Sequence, residues 1–213
     1  MDKEPFSLFP RWSALLFLRR FIAQPGQIGS VAPSSHFLVQ EMLKLSDWPA
    51  VTDVAELGAG TGVVTEELLR KISPTARLSV FELDQKLREK IENKLEIDVF
   101  PDACDLAQVI KPRSLDVIIS SLPWTTLPKE VSVKILQGVL TCLKPSGQFI
   151  AYQYSRQMYR LFCRLFESVR ISFVFRNIPP AFVYNCHTPR NHAEKKAAFF
   201  FAHKLGGRQD FSQ

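Results

Sequence analysis

From residue 52 onward, short apolar runs alternate along the chain with segments whose apolar side chains recur at helical spacing. The apolar runs, which predict strands, are residues 53–57, 77–83, 98–100, 114–120 and 148–154. The segments of helical spacing between and after them are residues 63–72, 85–95, 129–143 and 156–168. Because strands that alternate with helices form right-handed βαβ units, this pattern predicts a parallel sheet that is covered by helices on both faces.

The pattern changes near the C-terminus. Residues 171–175 and 197–203 both have the character of strands, but the long loop between them contains no predicted helix. Strands that are joined without a crossover helix usually pair antiparallel. We therefore predict that the sheet ends with an antiparallel strand.

The first 50 residues lack the alternation, so we predict a helical extension over residues 1–50 and an α/β domain over residues 51–213. The loop at residues 24–35 is rich in turn-forming residues. Ser34 or Ser35 is well placed to cap a helix that continues to about residue 45.

Residues 11–23 have helical spacing with a very broad apolar face. Arg19 and Arg20 interrupt the apolar stretch, which is too short and too charged to span a bilayer. The aromatic and basic side chains of residues 6–22 suit a helix that lies at a lipid surface. They equally suit a core helix packed on the sheet edge.

Composition places the chain among folded proteins. It has 213 residues, of which 46% are hydrophobic and 23% charged, which excludes a disordered or collagen-like chain. The net charge is +6, and residues 151–213 alone hold ten basic and three acidic side chains. A basic C-terminal third fits an anionic partner such as a phospholipid surface, although a solvated basic face without a partner has the same composition.

The four cysteines are widely separated and form no CxxC pair. This spacing does not match a zinc site, so we expect no metal. Unpaired thiols fit a reducing compartment, which predicts a cytoplasmic protein.

The strongest chemical signal is the segment Glu56-Leu57-Gly58-Ala59-Gly60-Thr61-Gly62, which lies between the first predicted strand and a helix. Its glycines allow a sharp turn and the close approach of a ligand, and the helix N-terminus offers free N–H groups. Glu82 ends the next strand, 24 residues after Gly58, where a carboxylate is suited to accept hydrogen bonds from ribose hydroxyls. No Walker lysine follows the glycines, which disfavours a nucleoside triphosphate.

These features resemble the class I S-adenosylmethionine-dependent methyltransferases, whose motifs follow in the same order over residues 52 to about 203. The similar segments are Glu56-Leu57-Gly58-Ala59-Gly60-Thr61-Gly62, Phe81-Glu82-Leu83-Asp84, Pro101-Asp102-Ala103, Ser120-Ser121-Leu122-Pro123-Trp124 and Leu143-Lys144-Pro145-Ser146-Gly147. The resemblance implies a Rossmann-like three-layer α/β sandwich with a seven-stranded sheet whose last strand is antiparallel. It also implies that the cofactor is S-adenosylmethionine.

The resemblance, together with the chemistry of the side chains, assigns roles to these motifs. Gly58 and Gly60 would let the methionine part of the cofactor lie across the backbone, and Glu56 would orient its amino end. Glu82 would hold the ribose. Asp102 would accept a hydrogen bond from the adenine amino group, although a turn residue is an equally good interpretation of Asp102. The complete set of expected cofactor-binding residues is Ser35, Glu56, Gly58, Ala59, Gly60, Glu82, Leu83, Asp102, Ala103 and Ser120.

The acceptor must be sought outside the cofactor motifs. The segments at 31–35 (VAPSS), 121–123 (SLP) and 176–184 (RNIPPAFVY) resemble those of bacterial phospholipid N-methyltransferases, which methylate phosphatidylethanolamine at the membrane surface. The resemblance implies that the chain binds anionic lipid headgroups and associates peripherally with the inner face of the membrane. Position 182 is Phe, where many relatives carry a basic residue.

Methyl transfer to an amine requires a neutral lone pair and correct orientation of the two reactants. Tyr154 and Tyr184 are candidates to bind or deprotonate the amine, and the ring of Trp124 is a candidate to stabilise a methylated ammonium. His187 is a weaker candidate base. Structural packing is an equally good interpretation of both tyrosines.

Three other functions remain open from the sequence. The cofactor motifs also resemble those of ribosomal RNA adenine dimethyltransferases, but the fourth motif here lacks their Asn or Asp, so a nucleic acid is the less favoured acceptor. A small-molecule amine would need the same cofactor site. A non-enzymatic scaffold at the membrane surface is disfavoured by the intact Gly58, Gly60, Glu82 and Asp102.

Overall fold

The computed structural model describes residues 34–190, and the predicted helix at 11–23, most of the loop at 24–35 and the predicted strand at 197–203 lie outside this range. The helices are α1 (His36–Leu43), α2 (Val63–Lys71), α3 (Gln85–Leu95), α4 (Leu106–Val109), α5 (Lys129–Cys142) and α6 (Tyr159–Leu165). The strands are β1 (Asp53–Leu57), β2 (Arg77–Phe81), β3 (Val99–Phe100), β4 (Leu115–Ser120), β5 (Leu143–Gln153), β6 (Phe166–Val174) and β7 (Ala181–Pro189).

The strands form one seven-stranded sheet in the order β3-β2-β1-β4-β5-β7-β6. Strands β1 to β5 pair parallel with their neighbours, and β7 pairs antiparallel with both β5 and β6. This confirms the predicted α/β sandwich and its antiparallel last strand. The parallel strands end at one edge of the sheet, called the carboxyl edge here, and the loop between β6 and β7 lies at that same edge because Gln153 pairs with Phe182.

Apolar side chains cover both faces of the sheet. On one face, α5 and α6 pack over a cluster that includes Phe149, Phe162 and Tyr184. On the other face, α1 and α2 pack over a second cluster that includes Ile150 and Val183. Successive residues of a strand point to opposite faces, so β5 and β7 contribute to both clusters. Burial on both faces explains why the stretches 149–151 of β5 and 181–184 of β7 are apolar without interruption.

The chain differs from the sequence prediction in its last two strands. Strand β6 pairs with β7, at Ala181–Pro189, a segment that the sequence pattern does not predict as a strand. Polar side chains such as Asn185 interrupt the apolar pattern of β7. The sheet tolerates the buried Asn185 because Gln148 of β5 donates a hydrogen bond to its side-chain oxygen. The helix predicted over 156–168 is limited to α6, since β6 already begins at Phe166.

Helix α1 lies against the sheet and begins at Ser35, as predicted. The Ser35 hydroxyl accepts a hydrogen bond from Leu38 N at 3.2 Å and so caps the helix. At the other end, Gln148 donates to the carbonyl oxygen of Leu45 at 3.0 Å. Helix α1 therefore runs antiparallel to β5, with its N-terminus at the carboxyl edge. Within residues 34–190, no helix combines the length and apolarity needed to cross a bilayer.

The cap gives a stability prediction. Ser35→Ala removes the acceptor for Leu38 N, so we expect the free energy of unfolding to fall by about 1 kcal/mol. Urea denaturation followed by circular dichroism measures this change. Ser34→Ala is the matched control, and an equal loss in both variants would contradict a specific cap at Ser35.

Candidate active site

The glycine segment forms a loop between the end of β1 and the start of α2. Gly58, Gly60 and Gly62 all have positive φ angles, of 80°, 59° and 83°. Gly58 N and Ala59 N both donate to the carbonyl oxygen of Phe81, at 2.8 and 3.2 Å. The loop is thus bonded to the end of β2 and lies open at the carboxyl edge.

Two of these glycines are required for different reasons. A Cβ atom at Gly58 would lie 2.8 Å from Leu122 Cδ2 and displace that side chain, and the φ of 80° at Gly58 strains any other residue. A Cβ atom at Gly60 would meet nothing within 4 Å. Gly60 therefore faces open space, as expected of a backbone that a ligand approaches closely.

Glu82 joins the loop to the end of β2. Its side chain is buried, and its two carboxylate oxygens accept from Gly60 N at 2.7 Å and from Asp84 N at 2.9 Å. Burial raises the pKa of Glu82, and the two N–H groups oppose that rise. Each oxygen keeps a second lone pair for a further donor such as a ribose hydroxyl.

Glu56 lies on β1 beneath the loop and is fully buried. Its Oε2 accepts from the hydroxyl of Thr65 at 2.7 Å, whereas its Oε1 has no hydrogen-bond partner. Burial raises the pKa of Glu56 to about 7. A buried acceptor without a partner, two residues before Gly58, is suited to an ammonium group. The open space at Gly60 and this unpaired oxygen together fit the amino-acid end of S-adenosylmethionine.

Asp102 has the local role that a turn residue has. Its Oδ1 accepts from Cys104 N at 2.8 Å and caps a short 3₁₀ helix at Ala103–Asp105. Ala103 is buried and Leu83 is partly exposed. The cofactor-binding role of these three residues stays a prediction.

The segment after β4 is more buried than the sequence suggested. The hydroxyl oxygen of Ser120 accepts from Trp124 Nε1 at 3.1 Å and from Leu122 N at 3.3 Å. The indole of Trp124 is only 2% exposed and packs edge-to-face against Phe149. The ring of Trp124 thus lies in the core, and its role in stabilising a methylated ammonium stays a prediction.

Neither Tyr184 nor His187 is placed to act as a base. Tyr184 is buried, its hydroxyl donates to the carbonyl oxygen of Ser155 at 2.9 Å, and burial raises its pKa to about 12. His187 pairs with Gln148 in the middle of β5, five residues along β7 from Phe182, and so lies away from the carboxyl edge. Phe182, in the position where a basic residue was expected, has its ring 5.0 Å from that of Phe173.

Tyr154 does lie at the carboxyl edge, directly after β5, and it is 39% exposed. Its side chain interacts with Tyr152 and Asn177, and burial of the hydroxyl raises its pKa above the usual value. Tyr154 therefore stays protonated at neutral pH. Its neutral hydroxyl can orient an amine, but it is a poor base.

Asn177 is a residue of this site to which the sequence assigned no role. It is buried, its Oδ1 accepts from Ser35 N at 3.0 Å, and its Nδ2 donates to the carbonyl oxygen of Pro179 at 2.7 Å. Asn177 thus links the start of α1 to the loop after β6 and also contacts Tyr154. The feature of the sequence that points to Asn177 is its amide side chain in a loop that consists largely of apolar residues and prolines.

This link gives a second stability prediction. Asn177→Ala leaves Ser35 N and the Pro179 carbonyl without their partner, so the free energy of unfolding should fall by about 2 kcal/mol. The measurement is urea denaturation, with the exposed Gln157→Ala as control. A change below that of the control would show that water replaces the side chain at no cost.

Within residues 34–190, no group of three or more His, Cys, Asp or Glu side chains is arranged to hold a metal ion.

The candidate site consists of the glycine loop with Glu56 and Glu82, and of a polar group at Ser35, Tyr154 and Asn177. Both lie at the carboxyl edge, as ligand sites of open α/β sheets do.

Comparison with known proteins agrees with this arrangement. Residues 54–147 match the family model described as a methyltransferase domain. The chain is 35% identical over 180 residues to an ornithine lipid N-methyltransferase of Singulisphaera acidiphila, a match that covers 80% of this chain and 94% of that protein.

Solved structures show the same fold at low sequence identity. The N-methyltransferase NodS of Bradyrhizobium japonicum, in complex with S-adenosyl-L-homocysteine, superposes with a TM-score of 0.63 at 15% identity and covers 83% of this chain and 99% of its own. TrmN of Thermus thermophilus superposes with a TM-score of 0.58 at 19% identity, covering 80% of this chain and 53% of its own.

Proposed function

Because this chain belongs to the class I S-adenosylmethionine-dependent methyltransferases, we propose that it methylates the amine of a lipid headgroup, with phosphatidylethanolamine and its methylated forms as the first candidates. The observation that carries the proposal is the 35% identity to a lipid N-methyltransferase across 80% of the chain. The polar group beside the cofactor loop supplies a place for the amine at the carboxyl edge. Ornithine lipid, the substrate that the relative's name gives, is the alternative within the same chemical class.

The residues of the loop are suited to hold the cofactor. The carboxylate of Glu82 faces Gly60 N and has lone pairs left for the ribose, and Glu56 offers its unpaired Oε1 to the ammonium. When bound, S-adenosylmethionine would supply the methyl group of its sulfonium for transfer to the acceptor nitrogen, which would release its extra proton to water.

The acceptor must present a neutral nitrogen in line with that bond. Tyr154 is protonated, and its hydroxyl oxygen can accept an N–H of the amine and so direct the nitrogen lone pair. The carbonyl oxygen of Leu122 is less suited to this role, because it already accepts from Gln153 Nε2 at 2.8 Å and from Trp124 N at 2.9 Å. The chain's contribution to catalysis is then orientation rather than proton abstraction.

The test supplies the purified protein with cofactor labelled on its methyl group and with one acceptor at a time. The acceptors are phosphatidylethanolamine, ornithine lipid, free ethanolamine and transfer RNA, with the lipids in detergent micelles. Label in an organic extract that comigrates with a methylated aminolipid is the expected result, and the lipid that reacts distinguishes the two candidates. Label only in ethanolamine or RNA would overturn the proposal.

A further inference from the structure

Large apolar side chains are exposed together around the loop that joins β6 to β7. Phe173, Phe175 and Ile178 are 56%, 68% and 77% exposed, and Phe37 at the start of α1 is 48% exposed. We call these four residues the apolar tip. They make up more than half of the seven exposed large apolar residues in the described range, so their grouping differs from the scattered exposure usual on a protein surface.

The apolar tip is exposed on both faces of the sheet. Phe37 belongs to α1, which packs on the face of Val174 and Val183. The ring of Phe173 lies 5.0 Å from that of Phe182, which packs on the opposite face. A rigid partner protein typically covers one face, whereas a fluid phase surrounds a projecting hairpin on all sides.

The loop of the tip carries one charge, and it is positive. Arg176 is the one charged residue of the segment 173–181, and the acidic Glu41 of α1, which bonds Ser172 beside the tip, is paired with Lys44. The Arg176 guanidinium lies 5.0 Å from the ring centroid of Phe37 and 5.6 Å from that of Phe175. A cation held among exposed aromatic rings is the arrangement expected at a lipid headgroup layer, where rings enter the interface and cations meet phosphates.

The tip also projects from the edge that carries the candidate active site. In the sheet, β7 lies three strands from β1, a distance of about 14 Å at the usual strand spacing of about 4.8 Å. Tyr154 follows β5, which lies between β7 and β1 in the sheet, and Asn177 of the β6–β7 loop contacts Tyr154. A bilayer that meets the tip would therefore present its headgroups to the site.

We propose that the apolar tip inserts into the headgroup region of a bilayer that contains anionic lipid and docks the protein there. The docking itself follows from the exposed side chains and the charge. Its purpose, the delivery of an aminolipid to Tyr154 and the cofactor loop, rests on the proposed function.

The first test compares binding to vesicles of phosphatidylethanolamine and phosphatidylglycerol by sedimentation. The double variant Phe175→Ser/Ile178→Ser should bind about tenfold or more weakly, because transfer of even one such side chain from water contributes a factor of this order. The control is Val109→Ser, which alters an exposed apolar residue at the end of α4 and should bind as the wild type. Equal binding by the double variant and the wild type overturns the proposal.

The second test places a fluorophore in the tip. Phe175→Trp should gain a blue-shifted emission with vesicles and be quenched by brominated acyl chains, whereas Val109→Trp should show neither beyond the wild-type signal. Emission from position 175 that is already blue-shifted without vesicles, and is not quenched with them, would mean that another part of this chain covers the tip. A dimer that the double variant dissociates would assign the tip to a second copy. Either result overturns membrane docking.

A third measurement separates this proposal from the proposed function. The double variant should methylate a short-chain aminolipid below its micellar concentration at the wild-type rate, and its rate should fall only when the aminolipid is supplied in vesicles. If the wild type binds vesicles through the tip but methylates no aminolipid, docking is supported and the proposed function fails. If both proteins methylate vesicle lipid equally, docking through the tip is overturned and the proposed function stands.

Discussion

Glu82→Ala is expected to lower the affinity for S-adenosylmethionine about a hundredfold. The carboxylate accepts from Gly60 N and Asp84 N and so fixes the open part of the loop against the end of β2. Its remaining lone pairs are the proposed partners of the ribose. The variant would lose the two hydrogen bonds that the ribose hydroxyls would donate to this charged carboxylate. At about 1.5 kcal/mol or more each, they amount to about 3 kcal/mol of binding free energy, which gives the hundredfold factor.

Calorimetric titration with the cofactor measures the effect directly. Glu89→Ala is the control, since Glu89 lies on the exposed side of α3 and accepts a hydrogen bond from the neighbouring Gln85 of the same helix. The variant is expected to remain folded, because burial already disfavours the charged form of Glu82. If a folded Glu82→Ala protein binds the cofactor as the control does, the loop is fixed by its other bonds and the ribose lies elsewhere.

Most of the parallel sheet was predictable because its signals are local. Strands β1, β2 and β4 are short runs in which most residues are apolar, and the positive φ angles of Gly58, Gly60 and Gly62 match the turn that their spacing predicts. The cap at Ser35 was predictable for the same reason, since a serine at the start of an apolar-periodic segment satisfies its own neighbouring N–H groups.

The remaining features depend on contacts between distant segments. Asn177 became a site residue only through its bond to Ser35, which is 142 positions away in the chain. Trp124 follows a motif at the cofactor edge, but its ring turns into the core because Ser120 accepts its indole N–H and Phe149 packs against it. β7 was missed because Asn185 has its hydrogen-bond partner across the sheet, and a buried polar pair hides the apolar pattern of a strand.

The buried carboxyl of Glu56 should make the stability of the cofactor-free protein depend on pH. Its pKa is about 7 in the folded chain, against 4.5 for an ordinary glutamate, because burial disfavours the charged form. Below pH 4.5 both states are protonated and the group has no effect. Between pH 4.5 and about 7 the folded state holds the proton that the unfolded state has lost, so the free energy of unfolding falls as pH rises, by about 3 kcal/mol in all.

Glu56→Gln should remove this fall, since an amide does not titrate and its oxygen can still accept from Thr65. Other groups also titrate, so the quantity to measure is the difference in free energy of unfolding between variant and wild type, by urea denaturation from pH 4 to pH 8. We expect this difference to shift in favour of the variant by about 3 kcal/mol over that range, whereas Glu89→Gln should show no such trend.

Saturating S-adenosylmethionine should reduce the pH dependence of the wild type. An ammonium beside Oε1 favours the charged carboxyl, which lowers its pKa and restores the stability lost on ionisation. The stabilisation by cofactor should therefore grow with pH in the wild type more than in Glu56→Gln. A cofactor effect with the same pH dependence in both proteins would place the ammonium away from Glu56, and the unpaired oxygen would then have a purely structural explanation.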